Sequence, residues 1–184
     1  MIDTEKLAEE LNKLPRGGIV FVETSASKLL DVHLTTVKWL SKRDYTQVIV
    51  SSSIPCKKLL QLYEENDIDA DKLVILCAYP QEEEKDKKKI INFIHINSDS
   101  LFTDIAISLS DRLKLIEEKK FIFIDTINKL LIHNEPNTLA RFIHSVLTKM
   151  RANDVSGLLI SLESETDKET RAEIAQLCDK VIKV

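Results

Sequence analysis

Short, near-continuous apolar runs recur along this chain, each followed by a stretch with helical spacing, and few folds accept that pattern. The runs fall at residues 19–22, 47–50, 73–77, 91–96, 121–125, 157–161 and 180–184. Each is too short for a buried helix, and none alternates apolar with polar residues as a half-exposed strand would. Strands that read this way are covered on both faces, which is the signature of a parallel sheet. With a helix between successive strands and right-handed crossovers, the expected fold is a three-layer α/β/α sandwich with a mostly parallel sheet.

The chain has 184 residues, 43% of them hydrophobic, enough for one domain with a full core, so a single domain over 1–184 is expected. Residues 1–16 read as a leading helix, with Ile2, Leu7, Leu11 and Leu14 on one stripe, stopped by Pro15 and the Gly17-Gly18 pair. Residues 81–89, QEEEKDKKK, are a charge run and read as a solvated, mobile loop. Ser98 or Asp99 is expected to cap the helix that follows. A net charge of −4 argues against nucleic acid as a partner, because phosphate binding needs a surplus of Lys and Arg on one face. The N-terminus lacks the basic-plus-apolar form of a signal, and no apolar run approaches a membrane span, so a cytoplasmic protein is expected. Cys56, Cys77 and Cys178 lie far apart, suggesting neither a disulfide framework nor a metal pair, and Cys77 reads as a small buried hydrophobe.

The helix from Asn137 to Arg151 carries Leu139, Phe142, Ile143, Val146, Leu147 and Met150 beside a basic side of Arg141, His144, Lys149 and Arg151. If that stripe exceeds what the sheet can cover, it is a surface for self-association or a protein partner.

Two features bear on chemistry. The strand KFIFIDT places Asp125 at its C-terminal tip, where an α/β nucleotide hydrolase holds magnesium. Yet the only glycines are Gly17, Gly18 and Gly157, and none lies in a loop able to wrap a phosphate with its backbone N–H groups. The strand can persist as core, whereas a phosphate loop has no use without its ligand.

The string FIFIDTINKLLIHNEPNTLARFIHSVLTKMRANDVSGLLISLESE resembles the Walker B region and following strand of the RecA/KaiC-like superfamily, in particular divergent KaiC-like domains of archaea. GGIVFVETSASKLLDVHLTTVKWL stands where that superfamily has its first strand, phosphate loop and helix, VIVSSSIPCKKLLQLYEENDID where it has strand two and a catalytic glutamate, and LCDKVIKV where it has a closing strand. The resemblance covers residues 17–184 and implies a RecA-like sheet, ATP with magnesium as the ancestral ligand, and assembly through subunit contacts. The departures are chemical. Ser27 replaces the glycine before Lys28, and Leu29 replaces the Ser or Thr that would bind magnesium. Glu23 adds negative charge beside the polyphosphate position. Ser52 and Ser53 stand where the enzymes carry paired glutamates, and neither is a general base at neutral pH.

The expectation is therefore a non-catalytic regulatory or scaffold module with no cofactor. The alternative is an atypical weak ATP-binding protein that uses Ser27, Lys28 and Asp125 with magnesium. The structural role expected for Asp125 is to cap the helix or turn after its strand, and Lys28 reads as solvated. His33, His95, His133 and His144 lack metal-ligand spacing and read as surface or packing residues. Ser25, Ser27, Ser51, Ser52 and Ser53 lack a nucleophile motif such as GxSxG. Parallel strands should place Glu23, Ser51 and Asp125 on one sheet edge.

Overall fold

A computed structural model describes residues 4–78, 93–96, 101–131, 135–164 and 168–184. Seven strands form one sheet: β1 (Ile19–Thr24), β2 (Thr46–Ser51), β3 (Leu73–Cys77), β4 (Phe93–His95), β5 (Lys120–Ile124), β6 (Ser156–Leu162) and β7 (Lys180–Lys183). Their order is β4-β3-β2-β5-β6-β1-β7, and every neighbouring pair is parallel. The apolar runs become strands because a parallel sheet buries both faces: β1, β3 and β6 are buried at every position.

The helices are α1 (Thr4–Asn12), α2 (Leu29–Ser41), α3 (Cys56–Glu65), α4 (Leu101–Leu115), the short α5 (Asn128–Leu131), α6 (Pro136–Ala152) and α7 (Lys168–Gln176). Alternating strand residues feed two apolar clusters. Val20, Val22, Ile49 and Phe123 pack with α1, α2 and α3, while Phe21, Val50, Ile124 and Leu159 pack with α4, α6 and α7. The result is the expected three-layer α/β/α sandwich. Residues 81–89, the first two positions of the 91–96 run, Ser98, Asp99 and His133 lie outside the described residues.

Two expectations need correction. The apolar side chains of α6, from Leu139 through Met150, are all buried against the sheet and α4 within the chain, so that stripe leaves no surplus apolar face. The wide stripe is explained by a long helix lying over the centre of a seven-stranded sheet. Second, Cys56 and Cys77 form a disulfide, with Cα atoms 6.2 Å apart. Twenty-one residues separate them in sequence, but a β–α–β unit returns the chain, so the start of α3 meets the tip of β3.

Each glycine serves the edge where the strands begin. Gly17 turns the chain into β1 with φ of 72°, and its N–H reaches Ser156 Oγ at 3.1 Å. Gly157, second in β6, lets Met150 and the Ile122 carbonyl approach; a Cβ there would lie 2.9 Å from that oxygen.

Candidate functional site at the C-terminal sheet edge

The strand order reverses between β2 and β5 relative to the chain, and in open α/β sheets ligands bind outside the strand exits near such a switch point. Here the exits of β1, β2 and β5 bring Glu23, Ser51 and Asp125 to one edge, as the parallel register requires. What fills that edge is side chain.

Asp125 is fully buried. Its Oδ1 accepts the Ser52 backbone N–H at 3.1 Å and lies 3.2 Å from Ser52 Oγ. Its Oδ2 accepts the Ser53 hydroxyl at 2.9 Å and lies 2.9 Å from Ser51 Oγ. Two of these hydroxyls are shared, since Ser51 Oγ also faces the Ile54 carbonyl at 3.2 Å and Ser52 Oγ the Thr126 carbonyl at 3.0 Å. Burial drives the Asp125 carboxyl above the usual carboxylate range, and the serine hydrogen bonds pull it partly back. The sequence reading that Asp125 caps the following helix or turn is thus corrected: its partners come from the exit of β2. Position decides this, because β2 is the hydrogen-bonded neighbour of β5 and the Asp125 N–H itself donates to the Val50 carbonyl at 3.1 Å.

The turn after Asp125 is held by another residue. Asn128 Oδ1 accepts the Leu162 N–H at 2.8 Å, and Asn128 Nδ2 donates to the Leu162 carbonyl at 3.3 Å, so β6 pins the start of α5.

Below the edge, His33 of α2 and Tyr63 of α3 make a buried hydrogen bond, Nε2 to hydroxyl at 2.7 Å, with His33 against the Phe123 ring. Burial lowers His33 to about 3, so the imidazole is neutral. Tyr63 is raised, first by burial and second by the charge of Asp125. His33 is a packing histidine, as expected; His144 is exposed, and no group of acidic, histidine or cysteine side chains able to hold a metal occurs among the described residues.

The β1 exit is built differently. The chain leaves Thr24 through Ser25 and a single 3₁₀ turn, Ala26–Lys28, directly into α2. Within it the Lys28 N–H donates to the Ser25 carbonyl at 3.1 Å, and the Ser25 and Ser27 hydroxyls pair at 3.0 Å. A phosphate nest needs consecutive N–H groups turned to one point, usually through a residue in the left-handed region. The described residues with positive φ are Gly17, Asp44, Asp67 and Asp154, none of them in this turn. Ser27 is exposed and Lys28 half-buried. Glu23, nearly buried, is met by Lys183 Nζ at 2.9 Å from β7 and by Arg171 Nη1 at 3.8 Å from α7. The structure therefore sets Asp125 among serines and Ser27 beside Ser25, and does not join Ser27, Lys28 and Asp125 in one set of contacts.

Sheet order and layers together define an all-parallel three-layer α/β sandwich. Over residues 37–184 the chain matches the model of a family of unknown function, DUF7504, and it belongs to that family. No curated protein matches it. Among solved structures, an uncharacterized protein from Pyrococcus horikoshii, crystallised in complex with an unknown peptide, is similar with a TM-score of 0.71 at 14% identity, over 97% of this chain and 82% of that one. A KaiC-like protein from the same organism gives 0.61 at 15% identity, over 92% and 72%. The flagellar accessory protein FlaH from Methanocaldococcus jannaschii gives 0.59 at 12%, over 100% and 78%. At these identities the likeness concerns the fold.

Proposed function

We propose that this protein is a non-catalytic RecA/KaiC-like module that works through protein contacts, with its former nucleotide edge closed by its own side chains. The observation that carries this reading is the β1–α2 turn. It is one 3₁₀ turn whose Lys28 N–H is already bonded to Ser25, where a phosphate would need free N–H groups and a gap to enter. The other functions of the site are occupied in the same way. Asp125, the residue for magnesium, spends its lone pairs on Ser51, Ser52 and Ser53, and Glu23 takes the cations that a phosphate would want. No step of hydrolysis can be assigned to serines at the place of a general base.

A role in protein contacts is supported by the relative crystallised with an unknown peptide. Any such surface on α6 would use its polar outer side, Arg141, His144 and Lys149, since the apolar stripe is spent. Thermal unfolding with and without magnesium-ATP tests the proposal. A ligand at a hundred times its dissociation constant adds about 2.7 kcal/mol, so an unmoved midpoint supports the module, and a nucleotide-dependent rise supports the alternative of weak ATP binding.

A further inference from the structure

The loop that delivers the serines to Asp125 is also the loop that the disulfide anchors. It leaves β2 at Ser51 and enters α3 at Cys56, and Cys56 is bonded to Cys77, the last residue of β3, which stands opposite Ser51 in the parallel register. We propose that Cys56 and Cys77 form a thiol–disulfide switch: the oxidised pair locks the serine loop over Asp125, and reduction by a dithiol releases it. This inference goes beyond the proposed function and stands whether or not the protein is an interaction module.

The chemistry closes on the residues present. One thiolate of the reductant attacks Cys77 Sγ, the S–S bond breaks, and its electron pair leaves with Cys56 Sγ, which takes a proton from water. The second reductant thiolate attacks its own sulfur in the mixed disulfide, forming the reductant's disulfide and freeing Cys77 as a thiolate that is then protonated. Two electrons pass from dithiol to protein. Cys56 is the natural leaving group, because it opens a ten-residue helix whose N-terminus favours a thiolate, whereas Cys77 lies in a strand without that field. The Cα separation of 6.2 Å lies within the range that a disulfide spans, so closing the pair needs no backbone movement.

Both cysteines are buried, Cys56 at 2% and Cys77 at 1% exposure. A reductant therefore reaches the sulfurs only through a local opening, and an opening that lifts the loop ending at Cys56 separates Ser52 N–H and Ser53 Oγ from Asp125. Sulfur chemistry and the Asp125 cage share one motion, so each should report on the other.

The test uses the whole chain, equilibrated with oxidised glutathione or with dithiothreitol. Alkylation under denaturing conditions should label only Cys178 in the first case and all three cysteines in the second. Hydrogen exchange at the Ser52 amide should quicken by about tenfold or more on reduction, with β6 unchanged. The Cys56→Ser/Cys77→Ser chain should show the faster exchange without reductant, and Ser53→Ala should speed reduction of the disulfide by several-fold. Three labels after oxidation, equal Ser52 exchange in both states, or a reduction rate indifferent to Ser53→Ala would each overturn the switch.

Discussion

Two carboxylates stand at the same sheet edge and are neutralised by opposite means. Glu23 at the exit of β1 meets two cations, one of them the exposed side chain of Lys183. Asp125 at the exit of β5 is sealed from water and meets uncharged donors. The difference follows from the partners. Glu23 is nearly buried as well, but the Lys183 side chain that meets it is 71% exposed, so that cation keeps its hydration and its pairing contributes little. In the interior a second charge would need its own desolvation, so hydroxyls and a backbone N–H serve instead. Removing donors should therefore be severe at Asp125 and mild at Glu23.

The largest effect is expected from Ser51→Ala/Ser52→Ala/Ser53→Ala. It leaves a buried carboxyl with backbone donors only, and since each unsatisfied buried partner costs about 1–3 kcal/mol, chemical denaturation should show a loss of several kcal/mol. Adding Asp125→Asn should recover part of it; a triple variant as stable as the parent would erase the distinction between the two exits. Next in size is the disulfide. Closing a loop between residues 21 apart restrains the unfolded chain by about 3 kcal/mol, and the double Cys→Ser chain should lose roughly that amount in the same measurement.

Acid titration of stability separates the buried groups. His33 binds its proton near pH 6.5 when unfolded but only near pH 3 when folded, so the unfolded state gains protons first as pH falls. Stability should decline between those values by about 1.4 kcal/mol per pH unit, and His33→Leu should flatten that slope. Asp125 works in the opposite sense. Its folded form holds a proton that the unfolded form releases near 3.8, so its contribution weakens as pH rises from there to its raised folded value. The smallest effect is Lys183→Ala, whose side chain is exposed and whose carboxylate partner keeps Arg171. Its melting point should shift slightly at low salt and not at high salt.

The sequence revealed the sheet because strand burial is written in local composition: every apolar run that falls on described residues lies in a strand to within a residue at its end, and the edge shared by Glu23, Ser51 and Asp125 followed from parallelism alone. It did not reveal who answers whom. The serines of the β2 exit lie more than seventy residues from Asp125, and Arg171 and Lys183 lie still farther from Glu23, so no local pattern ties them. The Cys56–Cys77 pairing was hidden for a related reason, since cysteine spacing carries information only when several recur in a frame. The breadth of the α6 stripe suggested a partner surface, because sequence shows how apolar a helix is and not how much sheet lies beneath it. The choice between surface and packing could have been made for His33, since Leu29 and Val37 stand four residues to either side on the same helix face.

The central claim is that the nucleotide edge is filled by the protein's own side chains and turn. Calorimetric titration of the purified chain with magnesium-ATP tests it most directly. The proposed function predicts a flat trace, with any binding no tighter than roughly millimolar, about 4 kcal/mol. Micromolar binding that Lys28→Ala abolishes would contradict it.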